Sequence, residues 1–106
     1  MIPDRGDVVL VTVESSTPNQ GVTRRPVLVV SPALYNRRSG LALMCAIAAE
    51  PKGYPFEVGL PSGLPVQGVV LADHLRSTDW QAREAELLCR VPLKVVAEVL
   101  AKLKPL

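Results

Sequence analysis

Five short apolar runs, separated by proline and glycine, constrain this chain more than any other feature. They are DVVLVTV (7–13), PVLVVS (26–31), LALMCAI (41–47), FEVGL (56–60) and GVVLA (68–72). Pro18 and Gly21, Asn36 and Gly40, Pro51 and Gly53, and then Pro61, Gly63 and Pro65 punctuate them. Continuous apolar runs of this length predict strands covered on both faces. With 106 residues there is room for one modest core, so a helix or a second copy of the chain has to supply part of that cover. A helix is predicted over 92–103, PLKVVAEVLAKL. Leu93, Val96, Ala97, Leu100 and Leu103 recur at helical spacing, and Val95 and Val99 widen the face. Pro92 suits a first helical position and Pro105 stops the helix. Lys94, Glu98 and Lys102 are spaced for i, i+4 attraction. The expected architecture is a single domain over 1–106, mainly β, a small curled sheet or barrel closed by a C-terminal α-helix.

Composition narrows the class. An apolar fraction of 48% is too high for a disordered chain. No apolar run approaches the roughly 20 residues of a membrane-spanning helix, and MIPDRGD at the start lacks the apolar stretch of a secretory signal. A cytoplasmic protein with no membrane partner is expected. Cys45 and Cys89 are far apart, without metal-ligand spacing, and read as reduced core thiols. Net charge is only +2, but Arg24, Arg25, Arg37, Arg38, Lys52, Arg76 and Arg83 fall in or near predicted loops. Such a cluster serves either as a phosphate footprint or as ordinary solubilising charge.

Familiar catalytic signatures are missing. The chain has no phosphate-binding G-x-x-x-x-G-K-[ST] loop, no H-E-x-x-H and no Cys/His cluster, so no metal and no cofactor are expected. His74 is the only histidine, and a lone histidine after an apolar strand reads as a structural or surface residue. Asp73 and Asp79 read as loop caps. Tyr54 and Phe56 read as feeding the core, Trp80 as packing, and Gly53 and Gly68 as turn residues. The segment SSTPNQGVTRRP (15–26) is long for a hairpin connection, which raises the odds of a functional loop. Pro26 biases Arg25 toward extended backbone, setting its guanidinium near a strand mouth. There it either clamps a phosphate with paired donors or forms a salt bridge to Glu14 or Asp73.

Four stretches, IPDRGDVVLV, RRPVLVVSPALYN, KGYPFEV and GVVLADHLRSTDWQAR, resemble in order and spacing the MazF/PemK family of toxin endoribonucleases. The match spans most of residues 2–83. The resemblance implies an SH3-like (PemK/CcdB-type) β-barrel with a C-terminal helix, assembled as a homodimer. It implies metal-independent cutting of single-stranded RNA, often mRNA, by attack of the 2′-hydroxyl on the adjacent phosphate. The products are a 2′,3′-cyclic phosphate and a 5′-hydroxyl. It also implies a cognate MazE-like antitoxin with an acidic, partly disordered C-terminal segment. Carried over by residue, Arg25 falls on the family's catalytic arginine. Arg24, Lys52, Arg76 and Arg83 fall in the matching motifs as RNA contacts. Asn19 and Gln20 occupy the loop where many members carry Glu-Gln; the glutamate is missing here.

The family's catalytic threonine, at the end of the third strand, falls on Ala48, with Ala49 beside it. A methyl neither donates nor accepts a hydrogen bond. Three readings follow: a natural variant that cuts weakly with Arg25, a substitution that silences a toxic enzyme, or an inactive relative binding RNA or antitoxin.

Overall fold

The structure, a computed structural model, describes residues 1–14 and 21–106. Six strands form one antiparallel sheet: β1 (Asp7–Glu14), β2 (Val22–Val29), β3 (Leu41–Ala48), β4 (Glu57–Gly59), β5 (Val69–Asp79) and β6 (Glu86–Arg90). Their spatial order is β4-β5-β3-β2-β1-β6. Helix α1 (Ala33–Ser39) bridges β2 and β3, and α2 (Leu93–Leu103) follows β6. The sheet is curled but not closed by hydrogen bonds between its edges β4 and β6. It is a small, barrel-like, mainly β fold with a C-terminal helix, as expected.

The apolar runs are covered by α2 on one face and only in part on the other. Alternate residues of one strand enter different clusters, because side chains alternate across a sheet. Val8, Leu28 and Cys45 join Val58, Val70, Val95, Val96 and Val99 on the face that α2 closes. Val9, Val11, Val29, Ala42 and Met44 join Trp80 on the opposite face. Trp80 covers only one end of that second face, and its indole N–H donates to the Asn36 carbonyl at 3.0 Å. Packing is therefore the role the structure gives Trp80. Cys45 is fully buried, and burial, aided by the charge of Asp73, pushes its thiol up to about 11. Cys45 and Cys89 are both free thiols.

Several boundaries differ from expectation for identifiable reasons. The strand expected at 68–72 runs to Asp79, because its polar second half pairs with β3 from Leu75↔Cys45 to Leu41↔Asp79. Arg76 and Asp73 consequently lie on a strand and not in a loop; Asp79 does cap, accepting the Ala82 N–H at 3.0 Å. The strand expected at 26–31 starts earlier, at Val22, pairing backward along β1 to Glu14. The short α1 and β6 went unforeseen: ALYNRRS and ELLCR are too short to show a period. Gly40, read as a turn, caps α1 in the left-handed region at φ 74°.

The buried stripe of α2 is Val95, Val96 and Val99, with Leu100 and Leu103 partly covered. Leu93 is 81% exposed and Ala97 is exposed as well. The valines that were to widen the face are its centre, because they are the side chains that meet Val91 and Val58. No ion pair forms along α2 among the described residues; Lys102 instead donates to the Pro55 carbonyl, tying the helix to the segment before β4. Phe56 packs against the core, whereas Tyr54 is 63% exposed.

An N-terminal hook holds α1. Asp4 Oδ1 accepts the N–H groups of Arg5 at 2.8 Å and Ala33 at 2.9 Å. These bonds, with Arg90 nearby, hold the carboxyl below its usual range. Asn36, fully buried, donates to the carbonyls of Pro3 and Ser31.

Candidate functional site

The half of the second sheet face that no described residue covers is a groove of about 620 Å³. Its floor is apolar: Val11 and Val13 of β1, Val27 of β2, and Met44 and Ala46 of β3. Its rim is cationic: Arg25 from β2, Arg76 from β5 and Arg83 from the turn after β5. Among the described residues that line it, no carboxylate offsets those three guanidinium groups. Low-polarity walls around fixed positive charge favour an anionic ligand.

Strand register explains why Arg25 and Ala48 share this groove. β2 and β3 pair as Val29↔Met44, Leu28↔Cys45 and Val27↔Ala46. Continued two residues further, the same register sets Arg25 opposite Ala48, and both line the groove. The β2–β3 ladder ends one residue short of Pro26, which has no N–H to give to a ladder. The two chain ends beyond it flank an opening. Among the described residues, the Arg25 guanidinium forms no ion pair, with Asp73 or any other carboxylate. Ala48 itself is fixed from behind. Gly68 presses on it so closely that a Cβ there would lie 2.0 Å from the Ala48 carbonyl oxygen, and its φ is +119°. Gly68 is thus a close-approach residue and more than a turn former.

The remaining cationic residues divide by what they touch. Arg24 Nη1 donates to Thr12 Oγ1 at 2.7 Å and to the Glu84 carbonyl at 2.8 Å, and Nη2 sits 3.5 Å from Glu86. It clasps the turn that carries Arg83, where Glu84 takes a left-handed φ of 53°. Lys52 is exposed and is not among the groove-lining residues. Its backbone N–H donates to Glu57 Oε2 at 3.0 Å, so Glu57 shapes that loop. Asn19 and Gln20 lie outside the described residues.

Two groove residues were passed over in the sequence, His74 and Thr78. Both lie on β5 at a spacing of two from Arg76, so the three share one face. That alternation was the available signal, and it was lost when the strand was ended at residue 72. Among the described residues, no cluster of His, Cys, Asp and Glu is suited to hold a metal ion. No helix among them is long and apolar enough to cross a membrane.

The chain is a small antiparallel β-protein with a helix on one face and an arginine-rimmed groove on the other. The family model for PemK-like, MazF-like toxins of type II toxin–antitoxin systems matches residues 4–106, and the chain belongs to that family. It is 40% identical over 84 residues to the endoribonuclease toxin MazF of Escherichia coli (strain K12), covering 79% of this chain and 75% of that protein. It is 33% identical over 104 residues to the endoribonuclease PemK of Escherichia coli, covering 94% and 78%. The fold superposes on a crystal structure of MazE–MazF from Deinococcus radiodurans with a TM-score of 0.93. That match has 48% identity and covers 99% of this chain and 95% of the other.

Proposed function

We propose that this chain is the RNA-cutting toxin of a type II toxin–antitoxin pair, acting in the cytoplasm on single-stranded RNA, mRNA included. The observation that carries this reading is that Arg25 and Ala48 line one groove with Arg76 and Arg83. The groove binds the RNA backbone through those guanidinium groups, and its apolar floor takes base faces. The 2′-hydroxyl attacks the adjacent phosphorus, the bond to the 5′-oxygen breaks, and a 2′,3′-cyclic phosphate and a 5′-hydroxyl result. Arg25 stabilises the charge that builds on the phosphoryl oxygens, an electrostatic role that needs no metal ion. Lys52 extends the RNA path beyond the groove, and the family resemblance makes Asn19 and Gln20 further RNA contacts.

The partner is a MazE-like antitoxin. An acidic segment suits a groove with three arginines and no carboxylate on its described lining. The working unit over residues 1–106 is a homodimer, supported by exposed apolar side chains such as Leu34, Tyr35 and Leu87. Light scattering at micromolar concentration then gives twice the chain mass; a stable monomer removes the dimer from this proposal.

The test of the function is cleavage of single-stranded RNA with a chelator present, reading the product ends. Cyclic-phosphate ends, lost in Arg25→Ala and in a substrate lacking the 2′-hydroxyl at the cut, support it. A second reading is favoured by the Ala48 methyl: a silenced relative that binds RNA or antitoxin. RNA binding without cleavage at any protein concentration decides for that reading.

A further inference from the structure

Attack by a 2′-hydroxyl requires that its proton go somewhere, and the groove restricts where. Arg25, Arg76 and Arg83 stay protonated at any physiological pH. The Thr78 hydroxyl is neutral there, and Ala48 has only a methyl. Among the described residues lining the groove, His74 alone carries an imidazole, whose unprotonated ring nitrogen can accept a proton.

The backbone aims His74 into the groove by an irregularity. β3 advances two residues from Cys45 to Ile47 while β5 advances five from Val70 to Leu75, so β5 carries three extra residues at this point. Leu71 pairs instead with Glu57 of β4, and His74 stands where β5 rejoins β3. Bulges of this kind re-aim side chains and are over-represented beside active sites. The bulge lies across from Ala46, two residues before the end of β3, and His74, Ala46 and Ala48 line the same groove.

We propose that His74 is the proton acceptor for the 2′-hydroxyl in this chain, serving where the threonine-free strand end offers no proton-handling group. This rests on the RNA-cutting reading above. The neutral imidazole takes the proton as the 2′-oxygen bonds to phosphorus. The phosphorus–5′-oxygen bond breaks, the 5′-oxygen is protonated by solvent, and the imidazolium returns its proton to solvent. The charged groups around it are Arg25 on β2, Arg76 and Asp73 on β5 and Arg83 on the following turn. β3 contributes none, and Glu57 on β4 is engaged by the N–H groups of Lys52 and Gly53.

The test is single-turnover cleavage of a single-stranded RNA from pH 5 to 8 by the unaltered chain, His74→Gln and His74→Ala. Binding of RNA with a 2′-deoxy substitution at the cut site is measured in parallel. The unaltered chain slows as the pH is lowered, because a protonated ring has no lone pair left to accept the proton. His74→Gln cuts about 10²–10⁴-fold more slowly with that acid limb gone and with RNA affinity within about twofold. Added imidazole restores part of the rate of His74→Ala. Equal rates for the unaltered chain and His74→Gln overturn the assignment while leaving the RNA-cutting reading intact. No cleavage by any of the three, with RNA still bound, overturns both.

Discussion

Arg25 and Ala48 line one groove, each two residues beyond the last paired residues of β2 and β3, Val27 and Ala46. A guanidinium and a bare methyl thus share one groove on the sheet face away from α2. A phosphate seated there meets a charge on one side and no donor on the other. Ala48→Thr adds one hydroxyl at that position, next to the partly buried end of β3. The expected gain in RNA cleavage is about 10²–10³-fold, the scale of one preorganised donor to a developing oxyanion. Single-turnover rates of the two proteins check this, with Ala48→Thr, Arg25→Ala as the control that loses the gain.

The arginines separate into groove cations and a clasp. Arg76 and Arg83 line the groove, whereas Arg24 is engaged by Thr12, Glu86 and the carbonyl of Glu84. Arg76→Ala and Arg83→Ala each flatten the logarithmic salt slope of single-stranded RNA binding by about 0.7. Arg24→Ala lowers stability by about 1–2 kcal/mol through lost charged hydrogen bonds and leaves the slope unchanged. Salt titration of RNA binding, paired with urea unfolding, distinguishes the two classes.

Gly68 sets the position of the strand end. A Cβ at this residue meets the Ala48 carbonyl oxygen at 2.0 Å and carbons of Ala48 and Ala49 at 2.9 Å, with φ already at +119°. All three of these atoms are backbone, which leaves nothing flexible to yield. Gly68→Ala is expected to cost more than about 2 kcal/mol and to displace Ala48 from the groove. Gly53→Ala has open space around its Cβ, with only its φ of +82° against it, and costs less. Denaturant midpoints of the two variants give the comparison.

Acid weakens the N-terminal hook. The bond from the Ala33 N–H, then that from Arg5, then the Arg90 charge hold the folded Asp4 carboxyl below its ordinary value of 3.8. A lowered folded value means the contribution is complete above pH 4 and is lost as pH falls through the folded value. Asp4→Ala is expected to cost about 1 kcal/mol near pH 7, as for a lost helix-capping carboxylate. Its deficit shrinks as the pH falls through the folded value. Urea unfolding at pH 7 and pH 2.5 measures both ends, and an unchanged deficit at the lower pH sinks the account.

The apolar runs 7–13, 26–31 and 41–47, the glycine and proline between them and the stripe of α2 by themselves determined a small curled β-fold with a C-terminal helix packed on it. Period-two and period-3.6 burial are local properties, so those elements were legible. Arg25 was legible as a strand-mouth cation because Pro26 restricts its backbone locally. The groove was not. Its members come from β1, β2, β3, β5 and a turn, and what unites them is the register of non-local ladders. The second half of β5 has no apolar signature. It is a strand because β3 supplies backbone partners, and that pairing alone puts His74, Arg76 and Thr78 on one face. Likewise only the folded chain separates Arg24 from Arg25: adjacent residues of a strand point to opposite sides, one to the turn beside Glu84 and the other into the groove.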